Sequence, residues 1–208
     1  MSPLLIVISA PSGGGKTTLC RQLLETHGNL VCAVTCTTRP PRLGEKDGVD
    51  YYFLDSATFQ RRAEAGDFLE HATVYGQQYG NLKSEVLGKL RQGKDVLLSV
   101  DVQGVASIRA RAEQDAELKG ALLTVFLTPA SIGILEQRLR KRGADSEKVI
   151  RERLSQARQE IAEWRRFDYL LISTTIAEDL RRMRVILEAE RMRPHRATPP
   201  GIESACEP

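Results

Sequence analysis

The chain has 208 residues, of which 41% are hydrophobic and 27% are charged, and its net charge is +3. These values are typical of an ordinary globular protein and exclude a disordered or collagen-like chain. The slight charge argues against a dedicated nucleic-acid binder, no apolar run reaches membrane length, and the four cysteines match no zinc pattern. We therefore expect a cytoplasmic protein with reduced thiols and with neither a membrane nor a nucleic acid as partner.

The N-terminal segment carries the clearest chemical motif. An apolar run, Leu4 to Ile8, predicts a buried strand, and a helix pattern follows the segment APSGGGKTT. A strand, a glycine loop, a lysine, a hydroxyl residue and a helix together are the arrangement that holds a nucleoside triphosphate. The glycines let successive backbone N–H groups turn toward phosphate oxygens, and the helix N-terminus adds positive charge. The predicted triphosphate-binding residues are Ala10, Pro11, Ser12, Gly13, Gly14, Gly15, Lys16, Thr17 and Thr18.

Three positions of this loop have specific roles in the prediction. We expect Lys16 to reach the β- and γ-phosphates and the Thr17 hydroxyl to ligate Mg²⁺. Ala10 stands where such loops usually begin with glycine. Alanine is nearly as small, so we expect the loop to tolerate it.

A polar, turn-rich stretch from Cys36 to Asn81 follows a second predicted strand at Val31 to Thr35. Within it the pattern predicts only short elements, which are strands at 51–54, 68–72 and 77–79 and a helix at 56–65. This stretch therefore predicts a small lobe inserted into the core.

Strands and helices then alternate to residue 190. The predicted strands are 95–100, 121–127 and 169–172, and the predicted helices are 85–92, 105–112, one opening at Pro129, 146–164 and 176–190. Alternation of this kind indicates a parallel sheet covered by helices on both faces. The chain after Met192 has no periodicity, so we expect a frayed tail.

The inserted lobe carries residues suited to an anionic ligand. Arg39 and Arg42 flank two prolines that stiffen the loop between them, and two guanidinium forks on a stiff loop suit a phosphate dianion. Tyr51 and Tyr79 offer phenolic hydrogen bonds. The alternative interpretation is a solvated basic loop beside core tyrosines.

Glu70, in the apolar sequence FLEHA, is a candidate base reader. A carboxylate accepts two parallel N–H bonds, and the Watson–Crick edge of guanine offers such a pair from its ring N–H and amino group. Adenine offers no such pair. The alternative for a lone glutamate is an ordinary surface residue.

Further charged residues lie near the ends of core elements. Arg138 and Arg142 are predicted to share one helix face, opposite Leu135 and Leu139, with Arg153 on the next helix. A hairpin with these arginines would neutralise transferring phosphates as it closes, although solvated arginines are the alternative. Asp101 follows a strand, where an aspartate orients Mg²⁺ waters or contacts an acceptor nucleotide.

These motifs together resemble the bacterial guanylate kinase family from about Leu4 to Arg193. The matching segments are SAPSGGGKTT, TTRPPRLGEKDGVDYYF, FLEHA, YGQQYG, VDVQG and RLRKRGADSEKVIRERL. The resemblance implies an α/β, three-layer P-loop NTPase fold with a five-stranded parallel core sheet, an inserted GMP-binding lobe and a helical lid. It also implies Mg²⁺-dependent transfer of the ATP γ-phosphoryl group to GMP, with dGMP as a further acceptor.

The resemblance assigns residue roles and regions to this chain. Catalytic roles are implied for Lys16, Arg138, Arg142 and Arg153, and GMP-binding roles for Thr35, Arg39, Arg42, Tyr51, Glu70, Tyr79, Asn81 and Asp101. The implied regions are a core at 1–34, 82–128 and 165–193, a GMP-binding lobe at 35–81, a lid at 129–164 and a disordered tail at 194–208. The oligomeric state stays undetermined.

Several positions depart from the family pattern, namely Ala10, Asn81 in place of Ser or Thr, Ser99 in place of an acid, and Ser173 with Thr174 in place of Asn-Asp. The last pair bears on the selection of ATP over other triphosphates. Two other functions stay open at this point: a related kinase for another acceptor, such as a ribose bisphosphate, and a catalytically silent interaction module.

Overall fold

The computed structural model describes residues 2–74, 76–143 and 146–197, without the side chain of Arg142. Within these ranges the strands are β1 Leu5–Ser9, β2 Leu30–Cys32, β3 Thr35–Thr37, β4 Tyr51–Phe53, β5 Phe68–Val74, β6 Gln77–Leu82, β7 Asp95–Ser99, β8 Leu122–Pro129 and β9 Tyr169–Ser173. The helices are α1 Lys16–Thr26, α2 Ser56–Glu64, α3 Lys83–Arg91, α4 Val102–Ala112, α5 Ala116–Ala121, α6 Ile132–Arg142, α7 Glu147–Ala162 and α8 Ile176–Arg191, with a 3₁₀ turn at Glu163–Arg166.

The core is a five-stranded parallel sheet in the order β2-β7-β1-β8-β9. Alternate residues of β1 point to opposite faces, so Ile6 packs with α1 and α8 while Leu5 and Val7 pack with α3, α4 and α5. Both faces of the sheet are therefore covered, and the predicted three-layer α/β fold is confirmed.

A second sheet, in the order β4-β3-β6-β5, forms the inserted lobe. Its small core centres on Phe59 and Phe68, whose rings stack with centroids 4.5 Å apart. The strand predicted at 31–35 is divided between the sheets, because β2 pairs with β7 whereas β3 pairs with β4 and β6. Residues 33 and 34 therefore carry the chain from one sheet to the other.

Helices α6 and α7 form a hairpin with a core of its own, made by Leu135, Leu139, Ile150, Leu154 and Ala157. Gly143 ends α6 with φ 65°, as its position between the two helical patterns predicts. Pro129 ends β8, and helix α6 begins three residues later, after Ser131 caps it. The prediction that Pro129 opens the helix was wrong because Pro129 still pairs with Ser173 of β9.

Two further features differ from the sequence predictions. Helix α5 was not predicted because it has only 6 residues. Asp115 caps it by accepting the N–H groups of Glu117 and Leu118. The start of the expected frayed tail is folded, since Arg196 is buried and donates to the carbonyl oxygens of Gly120 and Leu122. Residues 198–208 lie outside the described part of the chain. Within the described ranges, no helix combines the length and apolarity needed to span a membrane.

Candidate active site

The phosphate loop, residues 10–18, connects β1 to α1 at the carboxyl end of the core sheet. Gly13 and Gly15 have φ values of 84° and 101°, which only glycine adopts without strain. Gly14 packs so closely that an added Cβ would lie 2.9 Å from the Pro11 carbonyl oxygen and 3.0 Å from Ala10 Cβ. The loop therefore accommodates the methyl group of Ala10, as expected, because Gly14 has no side chain that would collide with it.

Lys16 lies at the start of α1 and is largely enclosed. Its Nζ donates to the carbonyl oxygen of Val100, at 2.7 Å, beyond the end of the neighbouring strand β7. Burial lowers the pKa of Lys16, and the charges of Asp101, Glu160 and Glu70 act against that shift. The ammonium group is thus held by the Val100 carbonyl and interacts with the charges of three carboxylates from different parts of the chain.

Two adjoining cavities lie along the loop. One, of about 250 Å³, is lined by residues 10–18 alone. The other, of about 350 Å³, is lined by loop glycines, Arg138, Lys141, Ser173, Thr174, Ile176 and Asp179. The Ser173 hydroxyl donates to Asp179 at 2.7 Å, so this hydroxyl is already engaged by the protein. Together the cavities offer the loop residues at one end and arginine, lysine and hydroxyl side chains at the other.

The donor set fits a magnesium ion that arrives with the nucleotide. The Thr17 side chain is exposed in the first turn of α1, next to the loop. Within the described residues no cluster of three or more histidine, cysteine or acidic side chains has the geometry to hold a metal. Mg²⁺ keeps several waters and binds through substrate phosphates, so one hydroxyl beside the phosphate cradle suits it.

The hairpin of α6 and α7 lies directly over the phosphate loop. A Cβ on Gly13 would contact Leu139 and Leu135 at 3.5 and 3.6 Å, and Arg138 Nη1 donates to the Gly14 carbonyl oxygen at 3.3 Å. The prediction that the arginines lie opposite the leucines was therefore wrong for Arg138, because Arg138 contacts the same loop as Leu135 and Leu139. Arg153 lies on α7, half-buried, while the Arg142 side chain is outside the described part.

In the inserted lobe, a carboxylate holds the guanidinium group of Arg39 in place. Arg39 donates through Nη1 and Nη2 to the two oxygens of Glu45, at 3.0 and 2.9 Å, and its guanidinium lies 5.2 Å from the Tyr51 ring centroid. The Arg39 guanidinium, with the Arg42 N–H, lowers the pKa of Glu45. The Tyr79 ring lies 6.3 Å from that of Tyr51. The structure thus gathers three of the predicted phosphate ligands.

Glu45 was missed by the sequence analysis, although it stands three residues after Arg42 on the loop that the prolines stiffen. Its carboxylate also accepts the Arg42 backbone N–H, at 2.7 Å. The Arg42 side chain itself is exposed. An acid three and six residues after two arginines is a pattern from which this pairing can be predicted.

Glu70 is buried, as its position in an apolar strand predicts, with 9% of its surface exposed. Asn81 Nδ2 donates to Glu70 Oε1 at 2.6 Å, and Asn81 Oδ1 accepts from the Thr35 hydroxyl at 3.1 Å. Burial raises the pKa of Glu70, and the hydrogen bond from Asn81 acts in the opposite direction. Asn81 therefore joins the two predicted base readers in one hydrogen-bonded chain.

The second oxygen of Glu70, Oε2, lies near the first turn of α4. A Cβ on Gly104 would lie 3.3 Å from Oε2, so the glycine leaves this oxygen room. Asp101 caps α4 by accepting the Gly104 N–H at 2.8 Å, and its charge acts on both Glu70 and Lys16. The charges of predicted donor and acceptor residues therefore interact, and Gly104 is a further residue that the sequence did not indicate.

Comparisons with known proteins give a consistent result. The family model described as guanylate kinase matches residues 2–190. The guanylate kinase of Maricaulis maris is 40% identical over 190 residues, covering 91% of this chain and 84% of that protein. The guanylate kinase of Coxiella burnetii is 42% identical over 188 residues, covering 90% and 88%. The solved guanylate kinase of Anaplasma phagocytophilum has 31% identity and a TM-score of 0.69, over 94% of this chain and 89% of that one. The chain belongs to the guanylate kinase family.

Proposed function

We propose that this chain transfers the γ-phosphoryl group of ATP to GMP, giving ADP and GDP. The observation that carries the proposal is the buried Glu70, which a hydrogen bond from Asn81 holds in place and whose charge interacts with that of the loop lysine. A fixed carboxylate matches the paired N–H donors of guanine. A phosphate cradle with a lysine matches a triphosphate. Membership of the guanylate kinase family supports the same pairing of substrates.

The acceptor would bind in the lobe of 35–81. Glu70 and Thr35, joined through Asn81, would read the guanine, and Asp101 would lie beside the nucleoside. Arg39, Arg42, Tyr51 and Tyr79 would hold the phosphate, with Glu45 keeping the Arg39 fork in place before the ligand arrives. These contacts involve base and phosphate, so dGMP should be accepted as well.

The donor would bind along the phosphate loop of the core, 1–34, 82–128 and 165–193. Backbone N–H groups and Lys16 would hold its phosphates, and Thr17 would ligate Mg²⁺, which neutralises phosphate charge when bound. The lid of 129–164 would bring Arg138, Arg142 and Arg153 toward the transferring group. An acceptor that is already a phosphate anion needs little proton abstraction, so positioning and charge supply most of the catalysis.

The two alternatives make different demands on the site. A ribose bisphosphate kinase has no use for a buried guanine reader. A silent binding module has no use for an enclosed lysine in a phosphate cradle. The thiols of Cys20, Cys32 and Cys36 are unpaired, which supports the cytoplasm as the proposed location.

A coupled assay of ADP release tests the proposal. The purified chain would be given ATP and Mg²⁺ with GMP, AMP or ribose 1,5-bisphosphate as acceptor, and each product would be identified by chromatography. We expect GMP to exceed AMP in kcat/KM by about 10³-fold or more, since a site built to hydrogen-bond a substrate rejects analogues that leave it unpaired. Phosphorylation of ribose bisphosphate without phosphorylation of GMP would contradict the proposal. So would the absence of turnover with all three acceptors.

A further inference from the structure

Glu160 is a charged residue in the lid for which the catalytic scheme above has no role. It lies in the last turn of α7 and is half-buried. Ala157, one turn earlier, and Ile161, the next residue, belong to the apolar core of the hairpin. Glu160 is therefore a carboxylate at the border of that core.

The carboxylate is incompletely satisfied. Gln156 Nε2 donates to Glu160 Oε1 at 3.1 Å. The other oxygen, Oε2, is buried and has no well-formed hydrogen bond from any described residue. A buried polar atom left without a partner costs about 1–3 kcal/mol. The arrangement is therefore unfavourable for stability in the ligand-free protein.

The surroundings of this oxygen belong to the active site. Burial raises the pKa of Glu160, and the hydrogen bond from Gln156 and a weaker one from the backbone N–H of Ser12, at the tip of the phosphate loop, act against that rise. The charges of Lys16 and Asp101 also act on it. Catalytic hydrogen bonds are often long in a ligand-free enzyme and tighten only in the substrate complex. The Ser12 N–H is the donor placed to complete such a bond.

We propose that Glu160 is a positioning residue that ties the lid to the tip of the phosphate loop during phosphoryl transfer. On closure over bound substrates, its free oxygen accepts the Ser12 N–H. This bond fixes the loop tip next to Gly13 and Gly14, which line the phosphate cradle. The lid then contributes alignment of the loop as well as arginine charge. The inference rests on the kinase activity proposed above.

The test compares Glu160→Ala, Glu160→Gln and the control Gln159→Ala, whose side chain is exposed one position earlier. We expect Glu160→Ala to lower kcat about 10–100-fold, the range that a small misplacement of reacting groups costs. The KM for GMP should stay within twofold. Glu160→Gln should retain most of the rate because its amide oxygen still accepts the bond, and Gln159→Ala should match the wild type.

Hydrogen exchange supplies a readout that does not depend on turnover. In the wild type, a non-hydrolysable ATP analogue with GMP should slow exchange of the Ser12 amide at least tenfold, and Glu160→Ala should abolish that protection. A variant with wild-type kcat and Ser12 protection would overturn the inference. So would a lowered melting temperature with unchanged kcat per folded molecule. A wild-type protein that fails to phosphorylate GMP would instead contradict the proposed function, while ATP-analogue protection of Ser12 still tests the contact.

Discussion

The phosphate loop and the inserted lobe, the two halves of the proposed site, are built by different physical means. The loop presents backbone N–H groups, whose directions are set by glycine dihedral angles within nine consecutive residues. The lobe presents side chains that other side chains hold in place, as Glu45 holds Arg39 and Asn81 holds Glu70. A site built from backbone groups tolerates few changes of backbone conformation. A site built from side chains depends also on the residues that hold those side chains in place. The following substitutions test this difference.

Lys16→Ala should have the largest effect, because Lys16 supplies the one ammonium group among the nine residues of the loop. We expect kcat to fall by roughly 10³-fold, in the range for removal of a group that stabilises transition-state charge. GMP affinity, measured by calorimetry, should change less than twofold, because the acceptor binds in the other half. Lys148→Ala, an exposed lysine of α7, is the control. Near wild-type turnover would show that the donor half does not depend on this lysine.

Glu70→Gln should come next. Asn81 keeps its acceptor if the amide oxygen takes the position of Oε1, which leaves the new NH₂ donor facing the guanine N–H. Loss of a charge-assisted bond and a donor–donor clash should lower kcat/KM for GMP by roughly 10²-fold, with a smaller loss for AMP. Glu64→Gln, on the exposed surface of the same lobe, is the control. A change below threefold for GMP would remove Glu70 from guanine recognition.

Glu45→Gln tests whether a residue that only holds the Arg39 side chain in place contributes to GMP binding. The amide keeps the shape but removes the charge that holds the Arg39 fork, so the guanidinium loses its fixed position. We expect the KM for GMP to rise by about 3–10-fold with kcat nearly constant, since the lost order must be restored on binding. Steady-state kinetics at varied GMP measures this. A fall in KM would mean that Glu45 competes with the phosphate rather than preparing its site.

The smallest expected effect concerns stability. Burial raises the pKa of Glu70, so the folded protein binds its proton more tightly than the unfolded chain does. That contribution is full below the unfolded pKa of about 4.3 and is lost as the pH rises through the raised folded pKa. Glu70→Gln has no such titration. Its melting temperature relative to the wild type should therefore be higher at pH 7 than at pH 4, by a few degrees at most. An unchanged difference between the two pH values would contradict the prediction.

The sequence predicted the phosphate loop more completely than the inserted lobe, because the two sites differ in how far apart their cooperating residues lie along the chain. The phosphate loop is contiguous, so its strand, glycines and lysine were all visible in order. Arg39, Tyr51, Glu70 and Tyr79 were predicted by their chemistry, but the pairs that hold them were not. Glu45 and Arg39 are six residues apart, and Asn81 reaches Glu70 only because β5 and β6 are antiparallel neighbours.

The hairpin of α6 and α7 shows where the periodicity was misapplied. The helical repeat identified the apolar core of the hairpin correctly, but the prediction placed Arg138 opposite Leu135 and Leu139. At 3.6 residues per turn, Arg138 is only about 60° from Leu135 around the helix, so it faces the phosphate loop with the leucines and donates to the Gly14 carbonyl oxygen. Glu160 escaped notice because one acid among many on an amphipathic helix has no distinguishing pattern.

The buried anchor at Arg196 sets a practical limit on where this chain can be shortened. Glu190 has 2% of its surface exposed, and the Arg196 guanidinium pairs with it while also donating to two backbone carbonyls at the edge of the core. Ending an expression clone at residue 193 would remove this partner, although Tyr169 and Arg193 would still contact the other oxygen of Glu190. Because a buried carboxylate oxygen without a partner destabilises the fold, truncations and affinity tags belong after residue 197.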